Sequence, residues 1–293
     1  MVTALGACLW AQQEPRIRVD VRLVRLLVTV KDNHGKFAGS LTKDDFQITD
    51  NGVKQDVAVF EKHNAVPLSV AVLIDTSGST AKDLKVELDS TRRFLRAFYN
   101  EGNAKDTASL FSFNWEVVKQ MGFTRNFARM DEALRRLKGE AGTSLYDAIY
   151  HGAQALEDRD GRHVIIVVTD GGDTTSSKKF HDALEAAHRA DAVIYSIVVV
   201  PITNGAGRNT GGENALFTLG QATGGRVFAP SVGPDLDRAF GEILADLRTQ
   251  YMLGYYPRNI PPAKDRFHKL GLAMRDEGLH AQTRTGYYGD SYQ

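Results

Sequence analysis

Val70-Ala71-Val72-Leu73-Ile74-Asp75-Thr76-Ser77-Gly78-Ser79 is the stretch that decides the fold. Five apolar residues without polar alternation describe a strand buried on both faces, as in a parallel sheet covered by helices. A short polar loop ends it, and Leu84, Leu88, Leu95 and Phe98 then mark one face of a helix. The same unit recurs downstream. Ala108 to Phe113 reads as a second strand and Val117-Val118 as a short third, followed by a helix carrying Phe127, Met130, Leu134 and Leu137. A helix starting at Ser144, a strand at Val164 to Val168 and a helix from about Lys178 come next. The strand Val193 to Val200, a short helix near Asn214 to Thr223, the strand Arg226 to Phe228 and a helix carrying Leu236, Phe240, Ile243, Leu244 and Leu247 complete the series. Strands alternating with helices over 67–248 predict a doubly wound, mostly parallel α/β domain of about 180 residues.

Both flanks read as β. In 16–64, Ile17, Val19, Val21 and Leu23 alternate with polar neighbours, then the phase slips and Leu26, Val28 and Val30 alternate, which predicts a bulge or two half-strands. Asp32-Asn33-His34-Gly35 makes a turn, and Asp50-Asn51-Gly52 between Phe46, Ile48 and Val57, Val59 reads as a hairpin. In 249–293, Tyr251, Leu253 and Tyr255 alternate, then Leu270, Leu272 and Met274, ending near Tyr287-Tyr288. Each flank is too small to bury a sheet face alone. The expectation is therefore one small discontinuous β-sandwich with the α/β domain inserted in it.

The chain has 293 residues, which suits roughly two domains, and its 42% hydrophobic content places it among ordinary globular proteins. Lys+Arg and Asp+Glu both total 36, so no basic excess exists to attract nucleic acid or an anionic membrane. The lone cysteine, Cys8, excludes an intrachain disulfide and a cysteine-based zinc site. No apolar run approaches the ~20 residues of a membrane span. The first residues, MVTALGACLWA before Gln12-Gln13-Glu14-Pro15, resemble the end of an export signal, so 1–15 is expected to be a signal remnant or disordered. A secreted, periplasmic or cell-envelope location follows. Leu5-Gly6-Ala7-Cys8 also has the shape of a lipoprotein cleavage box, with lipid anchoring through Cys8, while Trp10-Ala11 offers an ordinary cleavage site.

Chemistry concentrates where open α/β sheets bind ligands, at the carboxyl ends of strands. Asp75, Ser77 and Ser79, two residues apart in a bent loop, can converge their oxygens on one point, and Gly78 relieves crowding. These are hard donors suited to Mg²⁺, Mn²⁺ or Ca²⁺. Ala141-Gly142-Thr143-Ser144 precedes a helix, and Val164 to Val168 leads into Thr169-Asp170-Gly171-Gly172-Asp173, so Thr143 and Asp170 are placed at the same edge. Read alone, each segment is equally a helix cap or an Asp-Gly turn.

Taken together, Asp75, Ser77, Ser79, Thr143 and Asp170 fill in order the five positions of the metal-ion-dependent adhesion site of the von Willebrand factor A domain family, which residues 67–248 closely resemble. The resemblance implies a six-stranded sheet with five parallel strands, Val117-Val118 being antiparallel. It further implies that the serines and threonine coordinate a cation largely through hydroxyls, and the aspartates directly or through water. A divalent ion so held keeps an open position for a partner's Asp or Glu. In the family, partner binding often couples to a shift of the final helix, here about 234–248. Thr76, Ser144, Gly171 and Asp173 would form the partner-binding rim. The flanks, through Val28-Thr29-Val30, Leu41-Thr42-Lys43-Asp44-Asp45-Phe46, Asp50-Asn51-Gly52, Tyr251-Met252-Leu253-Gly254-Tyr255 and Gly286-Tyr287-Tyr288, resemble bacterial secreted proteins carrying such a domain.

The reading is a non-enzymatic, extracytoplasmic adhesion module that uses a divalent cation, Mg²⁺ first and Mn²⁺ or Ca²⁺ as alternatives, to bind an acidic residue of an unidentified protein. Two other classes stand beside it: a Mg²⁺-dependent phosphoryl hydrolase, because an Asp after the first strand also begins aspartyl-phosphate enzymes, and a cytoplasmic assembly factor for an ATPase complex. The hydrolase lacks the second acid of Asp-x-Asp, which is Ser77 here. His181, Glu185 and His188 share a helix face and read as solvated. Gly205 to Gly212 lacks the Lys-Ser/Thr of a phosphate loop and reads as a surface loop. Trp115 and Phe123 are aromatic candidates for the rim.

Overall fold

In the computed structural model, which describes residues 23–62, 66–78, 83–199, 210–231, 233–261 and 266–289, alternation at Leu26, Val28 and Val30 produces one strand with all three side chains buried. This is β1 (Val24–Asp32), followed by β2 (Phe46–Asp50), β3 (Val53–Gln55) and β4 (Val59–Lys62). Cys8 and the run Ile17 to Val21 lie outside the described residues. Asn51 and Gly52, at φ of 47° and 83°, supply the two left-handed residues that a tight β2–β3 hairpin requires.

The α/β segment begins at β5 (Leu68–Asp75), every residue of which is buried. Then come α1 (Leu84–Glu101), β6 (Thr107–Phe113), β7 (Val117–Thr124), α2 (Phe127–Arg135), α3 (Leu145–Glu157) and β8 (Arg162–Thr169). After these follow α4 (Phe180–Arg189), β9 (Ala192–Val198), α5 (Thr210–Thr223), β10 (Val227–Phe228) and α6 (Pro234–Thr249). The six strands lie in the order β10-β9-β8-β5-β6-β7, parallel except for the β6–β7 pair. Residues of one parity on β5 and β8, such as Val72, Ile74 and Val168, bury against α1, α2 and α6. Those of the other parity, such as Leu73 and Val167, bury against α3, α4 and α5. This is the physical content of an unalternated apolar strand: both faces are interior.

Two expectations shift. β7 is a full eight-residue strand, because Val117 to Thr124 pairs along β6 with a bulge near Leu110 that a pattern of mixed polar residues does not announce. Thr210 to Gly212, expected in a loop, form the first turn of α5, while Gly205 to Asn209 lie outside the described residues.

β11 (Tyr251–Tyr255), β12 (Phe267–Met274), β13 (Leu279–Gln282) and β14 (Gly286–Tyr288) come from the tail. They mix with the first four strands in two sheets, β13-β1-β11-β4 and β14-β12-β2-β3, around Leu26, Val28, Ile48, Leu253 and Tyr255. β1 changes partner within itself, pairing β11 through Val28 and β13 from Thr29. In the core of this sandwich the fully buried Asp50 carboxylate accepts hydrogen bonds from the hydroxyls of Tyr255 (2.6 Å) and Tyr287 (2.7 Å) and lies 3.0 Å from His268 Nδ1. One carboxylate from the front of the chain is thus satisfied by three groups from its end, so the sandwich closes only when both segments are present.

The sandwich sits at the amino edge of the parallel sheet. Arg284 pairs with Asp191, just ahead of β9, and donates to the Arg25 carbonyl at 2.7 Å. Gln250, the single residue between α6 and β11, donates to the hydroxyls of Tyr195 (3.2 Å) and Thr29 (3.4 Å). The opposite, carboxyl edge is left to the loops.

Candidate functional site

At that carboxyl edge β5 ends in Asp75, which is fully buried. Its Oδ1 accepts the Ser77 N–H at 2.8 Å, and its Oδ2 accepts the Thr169 hydroxyl at 2.6 Å. The Ser77 hydroxyl also bonds this carboxylate. Thr169 in turn receives the Gly171 N–H at 3.1 Å, so the turn after β8 that carries Asp170 is fixed directly to the turn after β5. Ionised carboxylates offer about four lone-pair positions.

A third loop is laced to these two. Ser77 forms a bridge with Glu140, whose N–H donates to the Thr76 carbonyl at 2.8 Å. Three residues on, Thr143 exchanges backbone bonds with 174–175: its N–H donates to Thr174 Oγ1 (2.9 Å), and its carbonyl accepts from the N–H groups of Thr174 (2.8 Å) and Thr175 (3.2 Å). These bonds engage only the Thr143 backbone; among the described residues its own hydroxyl has no hydrogen-bond partner. Asp75, Ser77, Thr143 and Asp170 are therefore carried on three mutually hydrogen-bonded loops at one edge, and Ser79 lies outside the described residues.

The rim residues differ from expectation. Thr76 is 1% exposed and donates its hydroxyl to the Phe113 carbonyl, and Ser144, also 1% exposed, donates to the Trp115 carbonyl. Both brace loops instead of facing solvent, because their backbone neighbours at β6 are close enough to claim the hydroxyls. Gly171 is buried. Asp173 is half-buried and accepts from Tyr146 N–H at 3.2 Å and from the Ser176 hydroxyl, which makes it a support for the start of α3. The exposed member is Trp115, at 57%, whose indole N–H donates to Glu140 at 3.1 Å. Phe123 is half-buried, packs in the α3 side of the core and carries Arg159 over its ring.

Electrostatics at this edge run one way. Burial first, and then Asp170, raise Asp75 to about 6, against lowering hydrogen bonds from Thr169 and Ser77. Glu87, in the first turn of α1, is raised to about 8 by burial and by Asp75, Asp170 and Asp83. Hydroxyl and carboxylate oxygens suit a hard divalent ion, and the donor set is hydroxyl-rich, since among the described residues no group of three or more Asp, Glu, His or Cys side chains could hold a metal ion. The residues fit such an ion. Sequence reading missed Glu87 and the Thr169 brace. The signal for Glu87 was available, since it is an acid on the spacing of Leu84, Leu88, Leu95 and Phe98.

His181, Glu185 and His188 do not converge. His181 is exposed, 3.9 Å from Glu185, whereas His188 is buried with Nε2 3.1 Å from the Ala222 carbonyl, and burial lowers its pKa. The solvated-face reading therefore fails at His188.

Residues 70–172 match the family model for the von Willebrand factor type A domain. The chain carries an A domain. Among curated proteins no match is found. Solved structures share the A-domain fold at low identity. BatB, a conserved hypothetical protein from Bacteroides thetaiotaomicron, is 17% identical, with 61% of this chain and 98% of that chain covered at a TM-score of 0.50. The D319A mutant of the PilB minor pilin from Streptococcus sanguinis is 12% identical over 63% of this chain and 62% of that chain, TM-score 0.50. Proximal thread matrix protein 1 from the mussel byssus is 15% identical over 68% and 49%, TM-score 0.51. At these identities the likeness concerns the A-domain fold.

Proposed function

We propose that this protein is a non-enzymatic binding module whose A domain holds a divalent cation through Asp75, Ser77, Ser79, Thr143 and Asp170 and binds an acidic side chain of a partner protein. The supporting observation is the lacing of three loops around Asp75, a carboxyl that is buried at the carboxyl edge of the sheet and hydrogen-bonded to Ser77 and Thr169. A hard divalent ion, Mg²⁺ ahead of Mn²⁺ or Ca²⁺, supplies Lewis acidity toward an incoming carboxylate. Exposed Trp115 beside Glu140 gives the partner an apolar contact next to that point.

We also place the protein outside the cytoplasm, secreted or in the cell envelope, on the export-like N-terminal segment; one of its structural neighbours is a pilus component. Cell fractionation tests this, and recovery in the cytosol would overturn it.

For the site, titration calorimetry with Mg²⁺ should give one binding event in the wild type and none in Thr143→Ala or Ser77→Ala. Pull-downs from the native envelope should lose their specific protein on adding EDTA and with either variant as bait. Equal Mg²⁺ affinity in all three proteins would end the reading.

A further inference from the structure

Arg162, the first residue of β8, carries a buried positive charge that the fold leaves without a counter-charge. It is 3% exposed, and its side chain donates only to carbonyls, from Nε to Val66 at 3.3 Å and from Nη1 to Leu247 at 2.9 Å. Among the described residues its Nη2 makes no hydrogen bond. Burial pushes its pKa down to about 10, against Asp106, a carboxylate already held by Arg248 at 2.9 Å. An unpaired guanidinium is costly to bury, and a leucine or methionine at this position would avoid the cost.

A second lone donor lies at the joint between the A domain and the sandwich. Arg284, 8% exposed, gives Nη1 to Asp191 and Nη2 to the Arg25 carbonyl at 2.7 Å, while its Nε is buried with no hydrogen-bond partner. Both arginines line one cavity of about 20 Å³, flanked by Arg25, Leu27 and Met252 of the sandwich and by Asp191 ahead of β9. Asp191 is the one acid on its wall, and it is paired with Arg284, so the wall is positive overall. The space suffices for one guest of about the size of a water molecule or a little larger.

We propose that this cavity binds a small monovalent anion of the chloride class, which serves as counter-charge to Arg162, accepts the Arg284 Nε–H and ties the sandwich to the A domain. Size selects the ligand, since a phosphate ester or a peptide carboxylate carries bulk that about 20 Å³ cannot enclose. Water fits the space but brings no charge. The cavity lies at the amino edge of the parallel sheet, away from the loops that carry Asp75, Thr143 and Asp170, so this inference stands independently of the cation reading.

The test uses the whole chain, with sodium chloride or bromide as probe and sodium gluconate, whose anion is too large for the cavity, holding ionic strength constant. The wild-type melting temperature should rise with chloride concentration, and bromide should act in the same way, as mass action requires of a ligand that binds only the folded chain. Arg284→Lys keeps a cation for Asp191 and removes the ε N–H; Arg162→Met removes the unpaired charge. Each should weaken chloride affinity about tenfold or more, read from broadening of the chloride nuclear resonance and from the loss of the melting shift. Crystals soaked in bromide should show an anomalous peak within hydrogen-bond reach of Arg284 Nε. Equal wild-type melting in chloride and gluconate would leave water in the cavity and overturn the proposal. A chloride effect undiminished in both variants, or a bromide-soaked crystal with no peak at Arg284, would place any bound ion elsewhere and overturn it equally.

Discussion

Arg248, in the last turn of α6, donates from Nη1 to Asp106 Oδ2 at 2.9 Å, and Asp106 is fully buried in the turn ahead of β6. The same carboxylate accepts the N–H of Leu68 (2.7 Å) at the start of β5 and that of Asn103 (2.9 Å) after α1. Arg248 also donates to the Phe98 carbonyl at 2.8 Å. One ion pair thus joins four elements at the edge away from the site. Arg248→Met strips the charge partner and leaves Asp106 buried, so it should cost about 3–5 kcal/mol. Urea denaturation at pH 7 measures this, and a loss below about 1 kcal/mol would show that the two N–H donors suffice.

That clamp is one of several on the final helix. Asp246, fully buried, pairs with Lys31 of β1 (2.9 Å) and Arg226 (3.0 Å), and Arg162 donates to the Leu247 carbonyl at 2.9 Å. Sliding α6 along its axis would expose or unpair Asp106 and Asp246 together. The final helix should therefore stay in place when the cation binds. Hydrogen exchange at Ile243 to Leu247 should be among the slowest in the chain and unchanged by Mg²⁺; faster exchange on adding Mg²⁺ would mean that the helix moves despite the clamp.

The sheet was legible because its signal is local: Val70 to Ile74 and Val164 to Val168 are apolar without alternation, and the loops that follow carry Asp75 and Asp170 at strand ends. The Asn51-Gly52 turn was legible for the same reason, as two left-handed positions name their residues. What stayed hidden depends on contacts between distant segments. Thr76 and Ser144 look like solvent-facing hydroxyls until the carbonyls of Phe113 and Trp115 are brought beside them. His188 looks solvated until Ala222 covers it, and Glu87 looks like an ordinary helix acid until α1 is laid over β5. A face that is buried at one end of a helix and polar at the other defeats a periodicity argument.

Glu87 and Asp75 give the metal-free protein a defined response to pH. Burial raises Glu87 from 4.5 to about 8 and Asp75 from 3.8 to about 6. Between those limits the folded chain holds protons that the unfolded chain has released, so stability falls as pH rises. His188 works in the other direction below its ordinary 6.5, because burial keeps it neutral in the fold. The difference between wild type and Glu87→Gln cancels that contribution. In EDTA, the melting temperature of Glu87→Gln minus that of wild type should grow steadily from pH 5 to pH 8. A constant difference would show that Glu87 does not titrate in this window.

Gly142 sets the last requirement on the Thr143 loop. Its φ is 83°, and a Cβ built on it would lie 2.9 Å from Trp115 Cβ and 3.0 Å from Trp115 Cα. An alanine there incurs both left-handed strain and contact with backbone that cannot swing aside, together about 1–3 kcal/mol. Relief requires the loop to move, and the adjoining Thr143 moves with it. Gly142→Ala should therefore lower the melting temperature and also abolish the stabilisation by Mg²⁺. Trp115→Ala added to it removes the indole but neither the Cα nor the strain, so the double variant should remain defective. Recovery of Mg²⁺ stabilisation in the double variant would show that the indole alone enforces the loop, and that the backbone of Gly142 does not.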